Sequence, residues 1–150
     1  MNGLTVINTE KNEEKQYVVF LINKEYFGID ISNINSIIQM PNITSVPNGP
    51  EYLLGMTNVR DRVIPIVSLH KRMNYGEECI TKDSRVIILN LENDELMGVV
   101  VDDVKEVIKI ANDEIQESSP FVKKEESFIS GVGRKENNLI SIFEVSSLIA

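Results

Sequence analysis

The stretch Gly55-Met-Thr-Asn-Val-Arg-Asp-Arg-Val-Ile-Pro-Ile-Val-Ser-Leu69 decides the fold. Its second half, Val63 to Val67, is a short apolar run rich in β-branched residues, and runs of this length read as buried strands. The first half is polar, with Arg60 and Arg62 flanking Asp61. Asp tolerates left-handed geometry and bonds its own backbone, so the Arg-Asp-Arg step is a turn candidate. The expectation is a strand, a tight polar turn and a second strand. Pro65 has no N–H to donate, which places its strand at a sheet edge or at a bulge.

The same grammar recurs on both sides. Gln16 to Ile22 reads as a strand, Asn23-Lys24 as a turn and Glu25 to Asp30 as the returning strand of a hairpin. Ser84 to Leu91, a turn at Asn93-Asp94 and Leu96 to Val101 repeat that pattern. Val104 to Ile110 and Leu139 to Phe143 are further strands, the second preceded by Phe128 to Gly133 and a turn over Arg134 to Asn138. Between Asp30 and Ile37 the period changes. Ile31, Ile34 and Ile37 recur every three residues, which predicts one face of a helical turn or tight coil. Short helical segments are expected over Glu51 to Leu54, His70 to Asn74 and Glu144 to Ala150. Pro41, Pro47 and Pro50 mark a loop, Tyr75 to Asp83 a polar connector, and Asn112 to Lys124 a second loop. Residues 1–15 are polar and aperiodic, so a flexible N-terminal segment is expected before a domain over 16–150. Many short strands with frequent turns indicate a mainly β, barrel-like architecture.

One unit is written twice. Gly28 and Gly98 lie 98 − 28 = 70 residues apart, and at that shift Ile31, Ile34 and Ile37 match Val101, Val104 and Val107. The preceding strands match as well, YVVFLI against VIILNL. Gly55 stands 63 − 55 = 8 residues before Val63, and Gly131 stands 139 − 131 = 8 before Leu139. Such a repeat implies two similar lobes sharing a core.

Composition narrows the function. At 150 residues the chain can build one sizeable core or two small lobes. A net charge of −8 argues against nucleic acid, whose phosphates call for a basic surface, and against a polybasic membrane anchor. The N-terminus lacks a signal pattern and no apolar stretch approaches the ~20 residues of a membrane span, so a cytoplasmic protein is expected. Cys79 is the only cysteine, which rules out an intrachain disulfide or a multi-Cys zinc site.

Catalytic and ligand-binding constellations are equally sparse. His70, the only histidine, has Lys71 and Arg72 beside it and reads as a surface residue rather than a general base. Cys79 follows Glu77 and Glu78, and neighbouring negative charge disfavours an activated thiolate. Asp102 and Asp103 lack the alternating oxygen ligands of a calcium loop, so a turn or cap role is expected. Gly131-Val-Gly133 matches no phosphate-binding signature and reads as a bulge or close backbone approach. No catalytic residue, metal or cofactor is expected. The apolar positions Ile31, Ile34, Ile37 and Val104 read first as core. If the lobes are duplicated, however, Ile34 and Val104 would occupy equivalent places near where the lobes meet, and a groove lined by aliphatic residues from both would suit an amphipathic helix with Arg60 near its rim.

Taken in order, EYFGIDI, PNGPEYLLG, GMTNVRDRVIPIVSL, GVVVDDVKEV and ISGVG resemble the bacterial chemotaxis coupling protein family, CheW, over roughly Gln16 to Leu148. The resemblance implies two SH3-like five-stranded β-barrel lobes packed on a common core. It implies a non-enzymatic adaptor, found at membrane-associated receptor arrays, that joins the cytoplasmic tip of transmembrane chemoreceptors to the regulatory domain of the histidine kinase CheA. Carried over by position, receptor binding falls on Ile31, Ile34, Ile37, Arg60 and Val104, and kinase binding on Met40 and Ile43. Three departures bear on Arg60. Asp61 replaces the family's usual Gly and brings a carboxylate beside it. Ser36 stands where an acidic residue is common, and Ser68 where Asp is usual. Two other readings are a coupling domain fused to a phosphorylatable receiver, against which the end at Ala150 speaks, and a small hydrolase using His70 or Cys79.

Overall fold

The computed structural model describes residues 13–117 and 128–149. Those residues form β1 (Glu14–Ile22), β2 (Glu25–Asp30), β3 (Ile34–Gln39), β4 (Leu53–Val59), β5 (Arg62–Ser68), β6 (Arg85–Asn90), β7 (Leu96–Val101), β8 (Asp103–Ala111), β9 (Gln116–Glu117), β10 (Ile129–Lys135) and β11 (Asn138–Phe143). One α-helical turn, α1 (Leu69–Arg72), follows β5, and short 3-10 helices occupy Ile31–Asn33, Glu92–Asp94, Asn112–Glu114 and Val145–Ile149. The protein is mainly β, as the turn-punctuated pattern requires.

Two sheets result, ordered β8-β1-β2-β11-β10-β9 and β3-β6-β7-β5-β4. Neither is built from one half of the chain. The first crossover, at Ile31–Asn33, carries the chain from β2 to β3 in the other sheet, and Asp102 carries it back from β7 to β8.

The register repeats down to its irregularities. Val19 faces Gly28 as Ile88 faces Gly98, and Ile142 faces Gly28 in a parallel pair as Ile66 faces Gly98. Thr44 forms an isolated bridge to Met56 at the edge of the second sheet, where β9 pairs with Val132 at the edge of the first.

The central strands β1, β6 and β7 are buried on both faces, which is why they read as near-continuous apolar runs. Tyr17 and Val19 join Ile108, Ile110, Ile140 and Ile142 inside the first sheet. Val86, Ile88 and Val100 join Ile64 and Ile66 inside the second. The alternate residues of the same strands, Phe20, Ile22, Ile87 and Leu89, meet between the sheets with Phe27, Phe143 and Leu148. Phe20, Phe27 and Phe143 lie with ring centroids 5.2 to 6.2 Å apart, within the range of favourable aromatic pairing.

Several expectations shift. The helical turn over Asp30 to Ile37 is helical only at Ile31–Asn33; Ile34 and Ile37 lie in β3. Their three-residue spacing survives because β3 bulges between Ile34 and Ser36, so that Ile34 faces Leu89 and Ile37 faces Ile87. One extra residue in a strand returns positions three apart to the same face. β8 bulges in step, with Val104 facing Phe20 and Val107 facing Val18.

Elsewhere, Glu51 and Tyr52 form a turn and β4 starts at Leu53, so no helix forms there. Pro65 sits within β5, inside its sheet, yet pairing of β5 with β7 begins only at Ile66. At Pro65 the strand is therefore locally an edge. Glu14 and Lys15, placed by sequence in a flexible segment, pair with Ala111 and Ile110 at the start of β1, while residues 1–12 lie outside the described residues. The loop over Asn112 to Lys124 contains a 3-10 turn and β9 before it leaves the described residues at 117.

Gly55 holds the second sheet's edge together. Its φ is +152° and a Cβ there would collide with the Thr44 carbonyl, which accepts from Met56 N at 2.8 Å. Replacing Gly55 with Ala combines backbone strain with displacement of that segment, each worth roughly 1–3 kcal/mol. Gly55→Ala should lower the urea midpoint by an amount equivalent to about 3 kcal/mol; an unchanged midpoint would show that the Thr44 segment does not depend on this close approach.

Candidate functional site

The residues singled out by sequence gather around one end of the second sheet and the two crossovers. Ile34, at the start of β3, stands opposite Leu89, one residue before the β6–β7 turn. The β4–β5 turn reaches the same end, where Arg62 Nη2 donates to the Asp94 carbonyl at 2.7 Å. Arg60 and Asp61 form the two-residue tip of that hairpin with φ of 52° and 66°, the left-handed pair that matches strand twist. The tight turn read from Arg-Asp-Arg is therefore real. Arg60 is exposed, and among the described residues neither Asp61 nor any other carboxylate forms a salt bridge with it. Ser36, in place of an acidic residue, donates to Asn35 Oδ1 instead.

Ile34 and Val104 are half-buried and pack against the same inter-sheet cluster, at matching places in the repeat. Ile31 and Ile37 are each 40% exposed, on the first crossover and on the bulged strand that follows it. Met40 and Ile43 differ from these. They pack partly against the interior cluster of the second sheet, beside Leu54 and Val59. Next to them a groove of about 550 Å³ runs past Pro41, Thr44, Met56 and Asn58 to Val63, which is 65% exposed.

A cleft of similar size opens between the sheets, and sequence gave no sign of it. Phe27, Tyr52, Arg72, Tyr75 and Phe128 line it, with the Arg72 guanidinium 4.7 Å from both the Tyr52 and the Phe128 ring centroids. Both distances are within the range of a cation–π contact. None of the five expected receptor residues lines this cleft.

His70 corrects the sequence reading most sharply. It is buried, 8% exposed, not a surface residue. Its Nε2 lies 2.9 and 3.0 Å from the two oxygens of Asp102 and 3.6 Å from Glu78 Oε2. Asp102 has the turn role expected of it, accepting from Asn23 N at 2.9 Å in the β1–β2 hairpin, and adds the histidine to that duty. Ser68, the N-cap of α1, accepts from Lys71 N and donates to Glu78 Oε1 at 2.8 Å. Burial raises the Glu78 carboxyl above its ordinary range, with the Asp102 charge adding to the rise and Ser68 and His70 opposing it. Cys79 is exposed and lies outside this cluster, so no His–Cys nucleophile pair exists.

Asp102→Ala would strip an acceptor from both Asn23 N and His70. Asn23 N is exposed and can turn to water, but leaving the buried His70 imidazole without its partner costs about 1–3 kcal/mol. Chemical denaturation should show a loss near 2 kcal/mol, and a loss below about 0.5 kcal/mol would mean that the crossover is held by other contacts.

Among the described residues no helix is long and apolar enough to cross a membrane. The sequence model of the CheW-like domain matches residues 16–150. The chemotaxis protein CheW of Bacillus subtilis is 31% identical over 140 residues, covering 93% of this chain and 88% of that protein. The chemotaxis protein CheW of Helicobacter pylori is 30% identical over 141 residues, covering 93% and 85%. Among solved structures, the scaffolding protein TtCheW of Thermoanaerobacter tengcongensis superposes with a TM-score of 0.83 at 32% identity, over 91% of this chain and 88% of that one. With a family match across nearly its whole length, and relatives of matching size and architecture, this chain belongs to the CheW-like domain family.

Proposed function

We propose that the protein is a chemotaxis adaptor without an active site, which couples the cytoplasmic tip of a chemoreceptor to the regulatory domain of the histidine kinase CheA. The observation that carries this reading is the near full-length match to chemotaxis CheW proteins at up to 31% identity. Its residues 16–150 form two pseudo-repeated lobes, each an SH3-like barrel drawn from one sheet. The receptor's helical tip lies along the surface formed by Ile31, Ile34, Ile37 and Val104, an aliphatic strip of the kind that takes an amphipathic helix. Arg60, exposed and without a salt-bridge partner among the described residues, supplies charge-assisted bonds to a carboxylate or carbonyl on that helix. The kinase docks at the end of the second sheet, beside Met40 and Ile43, where the groove running to Val63 supplies further apolar surface. The protein works in the cytoplasm, at membrane-associated receptor arrays. The hairpin tip and the bulged strand are held by backbone pairing, so binding proceeds with little rearrangement.

Ile34→Asp and Val104→Asp should each weaken capture of a receptor cytoplasmic fragment by about 10-fold or more, because a charge would enter an apolar contact. Circular dichroism must show both variants folded. Folded variants that bind normally would remove the strip from the receptor interface. Arg60→Ala should leave stability unchanged and reduce receptor control of kinase activity in a reconstituted receptor–kinase assay. A wild-type response to attractant in that assay would remove Arg60 from signalling.

A further inference from the structure

We propose that His70, Glu78 and Asp102 form a binding site for a divalent transition-metal ion of the zinc type. The three residues come from α1, from the connector over 75–83 and from the second crossover, and their ligand atoms converge within 4.8 Å of one another. Ligands about 2.0–2.2 Å from a tetrahedral zinc stand roughly 3.4 Å apart. The His70 Nε2 distances of 2.9 and 3.0 Å to Asp102 and 3.6 Å to Glu78 bracket that spacing.

The second observation is Glu78 itself. Its side chain is only 5% exposed, and while Oε1 accepts from Ser68, Oε2 has no hydrogen bond although it points at the imidazole. A buried carboxylate oxygen left without a donor is costly, and a bound cation removes that cost. Two carboxyl groups and one imidazole converge on a single point, a set of ligands that one divalent ion can engage together.

The donor set narrows the ion. One imidazole and two carboxylates, with no thiolate, suit zinc, cobalt or manganese; calcium and magnesium take oxygen ligands alone. Cys79 follows Glu78 in sequence but is exposed and outside the converging atoms. The outer shell is built as metal sites require: Ser68 orients Glu78 through its hydroxyl, and Asn23 N orients Asp102. The Asp102 side chain is 29% exposed, which leaves solvent a way to a fourth position. An ion here fastens the connector and the β7–β8 crossover together, two residues before Val104.

The test uses the full chain, stripped with chelator and titrated with Zn²⁺ and with Co²⁺ by isothermal calorimetry. One ion should bind per chain, and a hundredfold excess over Kd should raise the thermal midpoint by about 5 °C. Excess Mg²⁺ should not compete. His70→Ala and Glu78→Gln should each lower affinity at least ~10-fold, and Cys79→Ser should leave it unchanged. Glu78→Gln keeps an acceptor for Ser68, so it stays folded should His70→Ala fail to. Absence of saturable Zn²⁺ binding to the wild-type chain would overturn the proposal and leave a plain histidine–carboxylate hydrogen bond. Wild-type affinity in Glu78→Gln, or loss of binding in Cys79→Ser, would overturn it equally.

Discussion

The apolar layer between the two sheets is the constraint on which the rest of the structure depends. Phe20, Ile22, Ile87, Leu89, Phe27 and Phe143 all reach it from strands whose alternate residues fill a second, separate core. A strand used on both faces cannot slip by one residue without exposing one apolar set and burying the other in the wrong core. Register is therefore set twice over for β1 and β6, and the glycines that face them across the sheet follow from it. At Gly98 a Cβ would lie 2.6 Å from Ile66 Cδ1 and 2.7 Å from Val86 Cγ1. Gly28 occupies the same place in the first sheet, with a Cβ 3.2 Å from Ile140 and from Ile142.

Because the inter-sheet layer is common property, each half of the chain must contribute to both sheets. The crossovers at Ile31–Asn33 and Asp102 are the points where it does so, and the strands that leave them, β3 and β8, lie at the sheet edges. Edge strands carrying partly exposed aliphatic residues are unusual in a free-standing protein, since they invite other chains. Here two pairs of exposed residues stand at matching places, whereas exposed Ile31 corresponds to the buried Val101. Ile37 and Val107 are 40% and 49% exposed, and the hairpin residues Val63 and Leu139 are 65% and 62% exposed. The matching places differ in their charged neighbours. Arg60 at the tip of one hairpin has Glu136 at the corresponding tip of the other, 136 − 60 = 76 residues on, the shift that also relates Gly55 to Gly131. At these tips the apolar framework is similar, and charge distinguishes one from the other.

The Ile31, Ile34, Ile37 spacing shows how a sequence pattern can be read to the right face for the wrong reason. Three-residue periodicity belongs to a tight helix, and the helix is there for one turn. Beyond it, a strand with an extra residue imitates the same period, as the paired bulges of β3 and β8 show. No local feature of Asn35 or Lys105 announces a bulge; it is imposed by the partner strand. His70 shows the opposite failure. Its flanking cations made a solvent position the natural inference, yet the residues that bury it, Glu78 and Asp102, lie 8 and 32 positions away along the chain (78 − 70 and 102 − 70). The inter-sheet cleft around Arg72 was invisible for the same reason, since Tyr52 and Phe128 reach it from different sheets' approaches.

By itself the sequence determined most of the strands, their hairpin turns, the offset between similar segments and the family, because each is carried by neighbours within a few residues or by that fixed offset. The tertiary structure alone decided that the halves exchange strands, that Arg60 goes without an internal salt bridge among the described residues, and that one histidine and two acids meet beneath a crossover. Those outcomes depend on distances between groups remote in sequence, and a distance of that kind exists only once the two sheets have closed on their common layer.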